Sequence, residues 1–210
     1  MPRPRKKKDV SPVADEGPRS AGRPRCEAAR TAVLDAGYKL LSKASVQAIS
    51  VQEIAAEAGV STATLYRWWP TKEAVLLDSY TNRVDDTALL HADGSPLHRL
   101  RKHLMNVAQM FKGEEGRVSL RLLMAIQEDQ ILRGAFFERI YRPKVDRCLA
   151  VMREAVEQGE LPRGTDLRLF LDSVFGVLLT NLILKHEDVD NALIGKAFDF
   201  AVAGAQAKAR

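Results

Sequence analysis

The sequence is poor in cysteine and has no apolar run of membrane-spanning length. Its two cysteines, Cys26 and Cys148, match neither a metal-ligand nor a disulfide spacing, and such low usage is typical of a reducing cytoplasm. The longest mostly apolar run, residues 174–184, is about half of the ~20 residues that span a bilayer. No apolar segment follows the basic N-terminus, which is therefore not a secretory signal. We expect a cytoplasmic protein with no membrane partner.

Catalytic and metal-binding patterns are also missing from the sequence. The four histidines show no HExxH spacing, and no serine or cysteine lies on a strand–turn–helix nucleophile elbow. The GEEG stretch at residues 113–116 is not a phosphate loop. We therefore expect no metal, no cofactor and no enzymatic activity, with a helical enzyme as the remote alternative.

Positive charge is concentrated at the N-terminus. Residues 1–25 hold eight Lys or Arg and three acidic residues, so their net charge equals the +5 of the whole chain. This segment has few large apolar groups to offset its ordering entropy, and it is predicted to be a disordered basic arm. Arg23 and Arg25, in the sequence GRPR, are candidates for contact with DNA phosphates or the minor groove. The alternative is a solvated tail.

The rest of the sequence predicts an all-α fold. Apolar residues recur every three or four positions, without sustained period-two alternation between hairpin turns. The pattern divides the chain into a small helical domain at residues 26–72 and a larger one at residues 73–210. Pro143 lies within a long helical segment, residues 131–158, and is expected to kink or split it because proline removes a backbone donor.

Residues 49–76 have the pattern of a helix-turn-helix unit. Ser50 and Glu53 match a capping box at the start of one helix, and Gly59 lies at the turn that follows it. Ser61 is placed to cap a second helix. We interpret both serines as caps first, with phosphate contact second. Because such a unit presents its second helix to the major groove, the small domain is predicted to bind DNA.

The second helix of this unit has two faces. At ~100° per residue, Leu65 and Trp69 face the core. On the opposite side, hydroxyls and a guanidinium suit phosphates and base edges, and methyl groups suit thymine. Because aromatic residues at helical spacing often belong to a core, burial is the alternative for Tyr66 and Trp68. The outward residues are Thr62, Ala63, Thr64, Arg67 and Trp68, with Tyr66 at the margin.

The segment ISVQEIAAEAGVSTATLYRWWPTKEAVL, preceded by the helix AARTAVLDAGYKLLSKAS, resembles the DNA-binding domain of the TetR (tetracycline-repressor-like) family of bacterial transcription regulators. The resemblance covers residues 24–80. It implies that Gln52 reaches a base or a phosphate and that Tyr66, Trp68 and Lys72 contact phosphates. The residues implied to face the groove are Thr62, Ala63, Thr64 and Arg67.

The last two predicted helices resemble the pair that forms a four-helix dimer interface in that family. Residues 166–184 are apolar on nearly every side, so this helix needs cover from its own core and from a partner. A homodimer would place its two helix-turn-helix units, here called the reading heads, one DNA turn apart (~34 Å) on a palindromic operator. The alternative is a monomer with a buried central helix. The candidate interface residues are Leu171, Phe175, Leu178, Leu182, Phe198 and Val202.

The middle helices carry methionines and aromatic rings that suit an adaptable apolar cavity, although the same residues suit an ordinary core. The candidate lining residues are Met105, Gln109, Met124, Gln127, Phe137 and Tyr141. A small apolar or amphiphilic ligand there would change the separation of the reading heads allosterically. The prediction is a repressor that such a ligand releases from its operator. The alternative is a DNA-binding regulator that has no ligand and is controlled by a protein partner.

Overall fold

The computed structural model describes residues 23–84, 90, 93–185 and 189–207, with the backbone alone for residues 23–25. Within these ranges the chain is helical and contains no strand, which confirms the all-α prediction. Two π-helical segments, Phe137–Tyr141 and Thr180–Lys185, follow α7 and α9. The ten α-helices of the described ranges are α1 Arg23–Leu41, α2 Val51–Glu57, α3 Thr62–Trp68, α4 Lys72–Arg83, α5 Pro96–Met110, α6 Glu114–Glu128, α7 Gln130–Phe136, α8 Arg142–Glu157, α9 Leu167–Leu179 and α10 Asn191–Ala207.

Helix α1 begins earlier than predicted. Its first residue is Arg23, so Arg23 and Arg25 lie in the first helical turn and not in an extended arm. Pro24 fits there because the first N–H groups of a helix have no acceptor within it. The predicted disorder of residues 1–22 concerns a segment outside the described residues.

The first four helices share a core with part of the larger domain. Helix α1 packs along α4, and Gly37 permits the close approach, since a Cβ there would lie 2.2 Å from the Ser79 hydroxyl oxygen. Leu65 of α3 is completely buried in this core, which continues to Leu122 of α6 and Phe136 of α7. Packing therefore joins the helix-turn-helix unit directly to α6 and α7.

The predicted interruption at Pro143 is present, in the form of a π-helical segment. The Arg142 N–H donates to the Phe137 carbonyl, five residues back, instead of four. This wider turn directly precedes Pro143, which lies in the first turn of α8. A proline at this point leaves a carbonyl of the preceding turn without its N–H donor, and π-bulges accommodate such defects. The predicted segment 131–158 is thus divided into α7, the π segment and α8.

A second core lies among α5, α8, α9 and α10. Phe170, Leu171, Val174 and Leu178 form the buried side of α9. Within the described residues, the helical run Leu167–Lys185 is long and apolar enough, by length and composition alone, to cross a membrane. It is longer than the run noted in the sequence, but its buried side packs in this core, and core helices of globular proteins pass the same test.

Half of the candidate dimer residues lie inside the protomer. Leu171, Leu178 and Phe198 are almost completely buried among the protein's own helices, so they are unavailable to a partner. Phe175, Leu182 and Val202 are half-buried and pack against the same core. The large exposed apolar side chains on these helices are instead Leu169, Leu184 and Phe200. A helix that is apolar all round does not reveal from sequence which side its own core takes.

Candidate DNA interface and internal cavity

Helix α2 starts with the predicted capping box. The Ser50 hydroxyl accepts from the Glu53 N–H at 3.2 Å, and the Glu53 carboxylate accepts from the Ser50 N–H at 2.8 Å. The Ser50 hydroxyl also donates to this carboxylate, and these bonds lower the pKa of Glu53. The helix ends before Gly59, whose φ of 65° is the left-handed conformation that glycine favours. Local chemistry therefore defines both ends of α2.

Helix α3 is a short recognition-type helix held by its own cap. The Ser61 hydroxyl accepts from the Thr64 N–H at 3.1 Å and lies 3.0 Å from the Thr64 hydroxyl. Part of the hydrogen-bonding capacity of Thr64 is thus already used within the protein. At the other end, the Trp69 N–H donates to the Leu65 carbonyl and closes the helix before Pro70.

The faces of α3 divide as predicted. Leu65 is completely buried and Trp69 is 3% exposed, whereas Tyr66 is 50% exposed. Ala63 and Arg67 are exposed, and Thr62, Thr64 and Trp68 are half-buried. Gln52 is exposed on α2, and Ser50 is half-buried at its start. The outward side thus combines small and hydroxylated residues with the Arg67 cation and the Tyr66 ring.

The adjacent tryptophans have different surroundings. Trp69 packs edge-on against Trp68, with ring centroids 5.7 Å apart. Its indole N–H donates to the Asp78 carboxylate of α4 at 2.7 Å. Trp68 packs partly against the core and carries the Arg67 guanidinium 5.3 Å from its ring centroid. Trp68 therefore supports Arg67 as well as bordering the outward surface.

Lys72, at the start of α4, has a partner within the protein. Its ammonium donates to the Val46 carbonyl at 2.9 Å and so fixes the α1–α2 loop. An ammonium has three donors, so this bond leaves capacity for a phosphate. The Thr71 hydroxyl accepts from the Ala74 N–H at 3.2 Å and caps α4. The three helices α2, α3 and α4 therefore all begin on a serine or threonine side-chain cap.

A cavity of about 290 Å³ lies where α4 to α9 meet. Its wall is mainly apolar and includes Val107 of α5, Phe136 of α7 and Ile140 of the π segment. A few polar side chains also line the cavity. The Ser119 hydroxyl donates to the Glu115 carbonyl at 2.7 Å, so the buried Tyr80 hydroxyl donates to Ser119 at 2.8 Å. The full lining is Tyr80, His103, Val107, Met110, Phe111, Ser119, Leu123, Phe136, Ile140, Tyr141, Lys144, Val145, Leu171, Asp172, Phe175, Gly176, Leu178 and Leu179.

An open groove of about 470 Å³ runs along the outer side of α9 and α10. Leu169 and Phe200 flank it with 65% and 83% of their side chains exposed. Small residues, including Ser173 and Gly204, also line the groove. The groove therefore combines large apolar projections with space to receive others.

Two family models together match most of the chain. Residues 33–78 match the bacterial regulatory proteins of the tetR family, and residues 90–201 match the tetracyclin repressor-like C-terminal domain. The chain belongs to the TetR family. This TetR-family protein is a transcriptional regulator, and family members bind operator DNA through an N-terminal helix-turn-helix domain.

Individual relatives agree with this assignment. The regulator is 30% identical over 186 residues to the uncharacterized HTH-type transcriptional regulator YdeS of Bacillus subtilis, covering 89% of this chain and 94% of YdeS. The crystal structure of the TetR-family regulator SCO0332 superposes with a TM-score of 0.70 at 27% identity, covering 84% of this chain and 97% of that one. FadR of Bacillus subtilis, in complex with stearoyl-CoA, superposes with a TM-score of 0.67 at 19% identity, covering 83% and 98%.

The cavity of this TetR regulator differs from the predicted lining. Of the six candidate residues, Tyr141 alone lines it. Gln109 donates from its amide to Asn191 at 2.7 Å, and Met105 packs against Gly195. The remaining three candidates, Met124, Gln127 and Phe137, are exposed. The six candidates lie on α5, α6 and the π segment, which all contribute to the cavity wall, but five of the six do not line it.

Asp78 and Arg139, two polar residues at the junction of the domains, are not among the residues predicted from the sequence. Asp78 of α4 accepts the Trp69 indole N–H and also pairs with Arg139 of the π segment. These partners are 9 and 61 residues away in the chain, so no local spacing signals the contact. In the described residues there is no group of three or more His, Cys, Asp or Glu side chains that could hold a metal ion.

Proposed function

We propose that this TetR regulator is a homodimeric repressor that binds a palindromic operator and is released from it by a small apolar or amphiphilic ligand. The observation that carries the DNA-binding part is the α3 helix, which Leu65 and Trp69 anchor while its opposite side stays open. We further propose that the protein acts in the cytoplasm and has no catalytic role.

The proposed DNA contacts follow the exposed surface of α2, α3 and the start of α4. In the major groove, Arg67 meets base edges, because its guanidinium is exposed and supported by Trp68. The first turn of α1 adds positive charge through Arg23 and Arg25. The other groove-facing residues are Thr62, Ala63 and Thr64, and the proposed backbone contacts are Ser50, Gln52, Ser61, Tyr66, Trp68 and Lys72.

The DNA proposal is tested by selecting binding sites from random duplexes and by footprinting the DNA that flanks the protein's own gene. We expect a protected palindrome and a loss of affinity of about 5- to 150-fold for Arg67→Ala, as for one lost base contact. The matched control is Arg153→Ala on α8, also an exposed arginine, which should bind like the parent. The DNA proposal fails if no palindrome is protected and Arg67→Ala binds as well as Arg153→Ala.

The outer groove of α9 and α10 supports a second copy of this chain as the partner. Leu169 and Phe200 project there with most of their surface exposed, and small residues lie beside them. If two such surfaces meet about a twofold axis, we expect the projections of one copy to pack against the small residues of the other. The proposed interface therefore uses the outward side of these helices, with Phe175, Leu182 and Val202 at its margin.

The internal cavity supports a ligand with an apolar body and a hydrogen-bonding group. The wall is largely apolar, while Tyr80, Ser119 and Lys144 bring polar atoms to it. FadR, which has the same fold, was crystallised with stearoyl-CoA. Long-chain acyl compounds are therefore the first class to test on this regulator.

Thermal-shift measurements with acyl-CoAs of graded chain length, and with coenzyme A alone, test the ligand proposal. At a ligand concentration a hundredfold above Kd, Tm should rise by about 5–10 °C. Narrowing the cavity by Leu179→Trp should reduce the shift, whereas Leu184→Trp, at an exposed position, should retain it. The absence of any shift across these and a broad set of amphiphiles would favour the ligand-free regulator controlled by a protein partner.

A further inference from the structure

The carboxylate of Asp78 joins two distant parts of the protein. One oxygen accepts the indole N–H of Trp69 at 2.7 Å, and the other pairs with the guanidinium of Arg139. The Asp78 side chain is 19% exposed and that of Arg139 is 42% exposed, so the bond to Trp69 is partly shielded from water while the pair with Arg139 lies nearer the surface. Charge-assisted bonds of this kind are about twice as strong as neutral ones. The carboxylate therefore holds both partners in fixed positions relative to α4.

Each partner of Asp78 belongs to a functional element. Trp69 closes α3 through its backbone N–H and is buried, so the position of its ring fixes the end of the helix that faces DNA. Arg139 belongs to the π segment, and the next two residues, Ile140 and Tyr141, form part of the cavity wall. A displacement of this wall therefore displaces Arg139 along with it.

We propose that Asp78 is a positioning residue that transmits the conformation of the cavity wall to the recognition helix α3. The path runs from the π segment through Arg139 to the Asp78 carboxylate, and from there to the Trp69 indole. This inference rests on the proposed function, because it assigns DNA reading to α3 and ligand binding to the cavity. Single π turns within helices are rare and frequently occur at functional sites.

The two tryptophans supply a direct readout, because Trp68 and Trp69 are the only ones in the sequence. In a Trp68→Phe background, the emission spectrum reports the surroundings of Trp69 alone. Arg139→Gln should shift the emission of Trp69, although Arg139 does not contact it, since the carboxylate is then free to move. The control is Arg142→Gln, which removes an exposed arginine of the same region that pairs with Glu138; it should leave the spectrum unchanged.

Operator affinity supplies the second readout, with duplexes obtained by selection. Arg139→Gln should weaken binding about 2- to 30-fold, the usual range for residues that modulate coupling. Arg139→Lys, which keeps the charge, should recover part of this loss. In an Asp78→Ala background, Arg139→Gln should have no further effect on either readout. Circular dichroism and melting curves establish that each variant is folded.

The results separate this inference from the proposed function. If the parent selects no DNA, the DNA-binding proposal fails, while the emission of Trp69 still tests the Asp78 contact. The inference is overturned if Arg139→Gln behaves like Arg142→Gln in both emission and binding. It is also overturned if Arg139→Gln acts equally in the presence and absence of the Asp78 carboxylate, because its effect would then follow another path.

Discussion

The helix-turn-helix unit and the larger helical domain differ in how uniformly their helices are capped. Each of α2, α3 and α4 begins on a serine or threonine whose hydroxyl accepts an N–H of the first turn. In the larger domain α7, α9 and α10 likewise begin on an aspartate cap, whereas α5 and α6 have no side-chain cap and α8 continues directly from a π segment. Local sequence thus accounts for the start of every helix in the helix-turn-helix unit, whereas the cavity depends on which sides of the long helices pack together. The cavity wall also includes the π segment, which departs from regular α-helix.

The exposed surfaces of the two regions also differ in their chemistry. The outward side of α3 combines small and hydroxylated residues with Arg67 and the Tyr66 ring, which suits DNA. The outward side of α9 and α10 exposes Leu169 and Phe200, which suit a protein partner. A substitution on one surface should therefore leave the activity of the other intact unless the two are coupled through dimerisation.

The largest expected effect comes from charge in the proposed dimer face. Phe200→Asp should convert a dimer into a folded monomer, because the carboxylate would be buried without a partner. Operator affinity should fall about a hundredfold or more, since the second reading head no longer contributes. Sedimentation velocity and DNA binding measure the two effects.

The matched control for Phe200→Asp is Ile131→Asp at the start of α7. Ile131 is 74% exposed and apolar but does not lie on α9 or α10. A dimer that survives Phe200→Asp, or dissociates equally with Ile131→Asp, would contradict the assigned face.

The next effect concerns the core that anchors the reading head. Leu65→Ala removes a fully buried side chain and should lower the free energy of unfolding by about 2–5 kcal/mol. Arg67→Ala, two residues on but exposed, should change it by less than about 0.5 kcal/mol. Urea unfolding of both variants measures the difference. Equal losses of stability would contradict the burial of Leu65 and the exposure of Arg67 on opposite faces of α3.

The same contrast explains which features the sequence predicted. The bounds of α2, the cap at Ser61 and the burial of Trp69 follow from spacing within about ten residues, and the structure has all three. The cavity depends on which side of each long helix faces inward. Met124 and Phe137 have the right chemistry for a cavity, but packing of distant helices leaves both exposed.

The dimer face illustrates a second limit of the sequence. Phe198 and Phe200 are two residues apart on α10 and chemically identical, yet one is buried and the other is 83% exposed. The choice between them is made by contacts of α10 with α5 and α9. Such contacts link residues far apart in the chain, so a single sequence does not encode them in any local pattern.

The two regions can also be compared through the effect of replacing one glycine in each by alanine. Gly59 has a φ of 65°, and a Cβ there would meet no atom within 4 Å. The loss of stability in Gly59→Ala therefore comes only from the strained backbone conformation. The substitution should cost about 1–2 kcal/mol. Gly134→Ala, inside α7 with equal space around it, should instead stabilise the protein by about 0.5–1 kcal/mol. Opposite signs in thermal unfolding are expected; a stabilising Gly59→Ala would contradict the left-handed turn.

The smallest effect tests whether the local cap of α2 is electrostatic. The Ser50 hydroxyl and backbone N–H hold the pKa of Glu53 below its usual range. A lowered folded-state pKa means that the carboxylate stabilises the fold above its ordinary pKa of about 4.3 and loses this contribution as pH falls through the lowered value. Glu53→Gln should therefore be less stable than the parent near pH 7, with the difference vanishing in strong acid.

Glu128→Gln, at the end of α6, controls for the loss of a charge elsewhere. Because Glu53 is exposed and screened by solvent, a large difference that persists in acid would show that Glu53 acts through packing and not through the capping box.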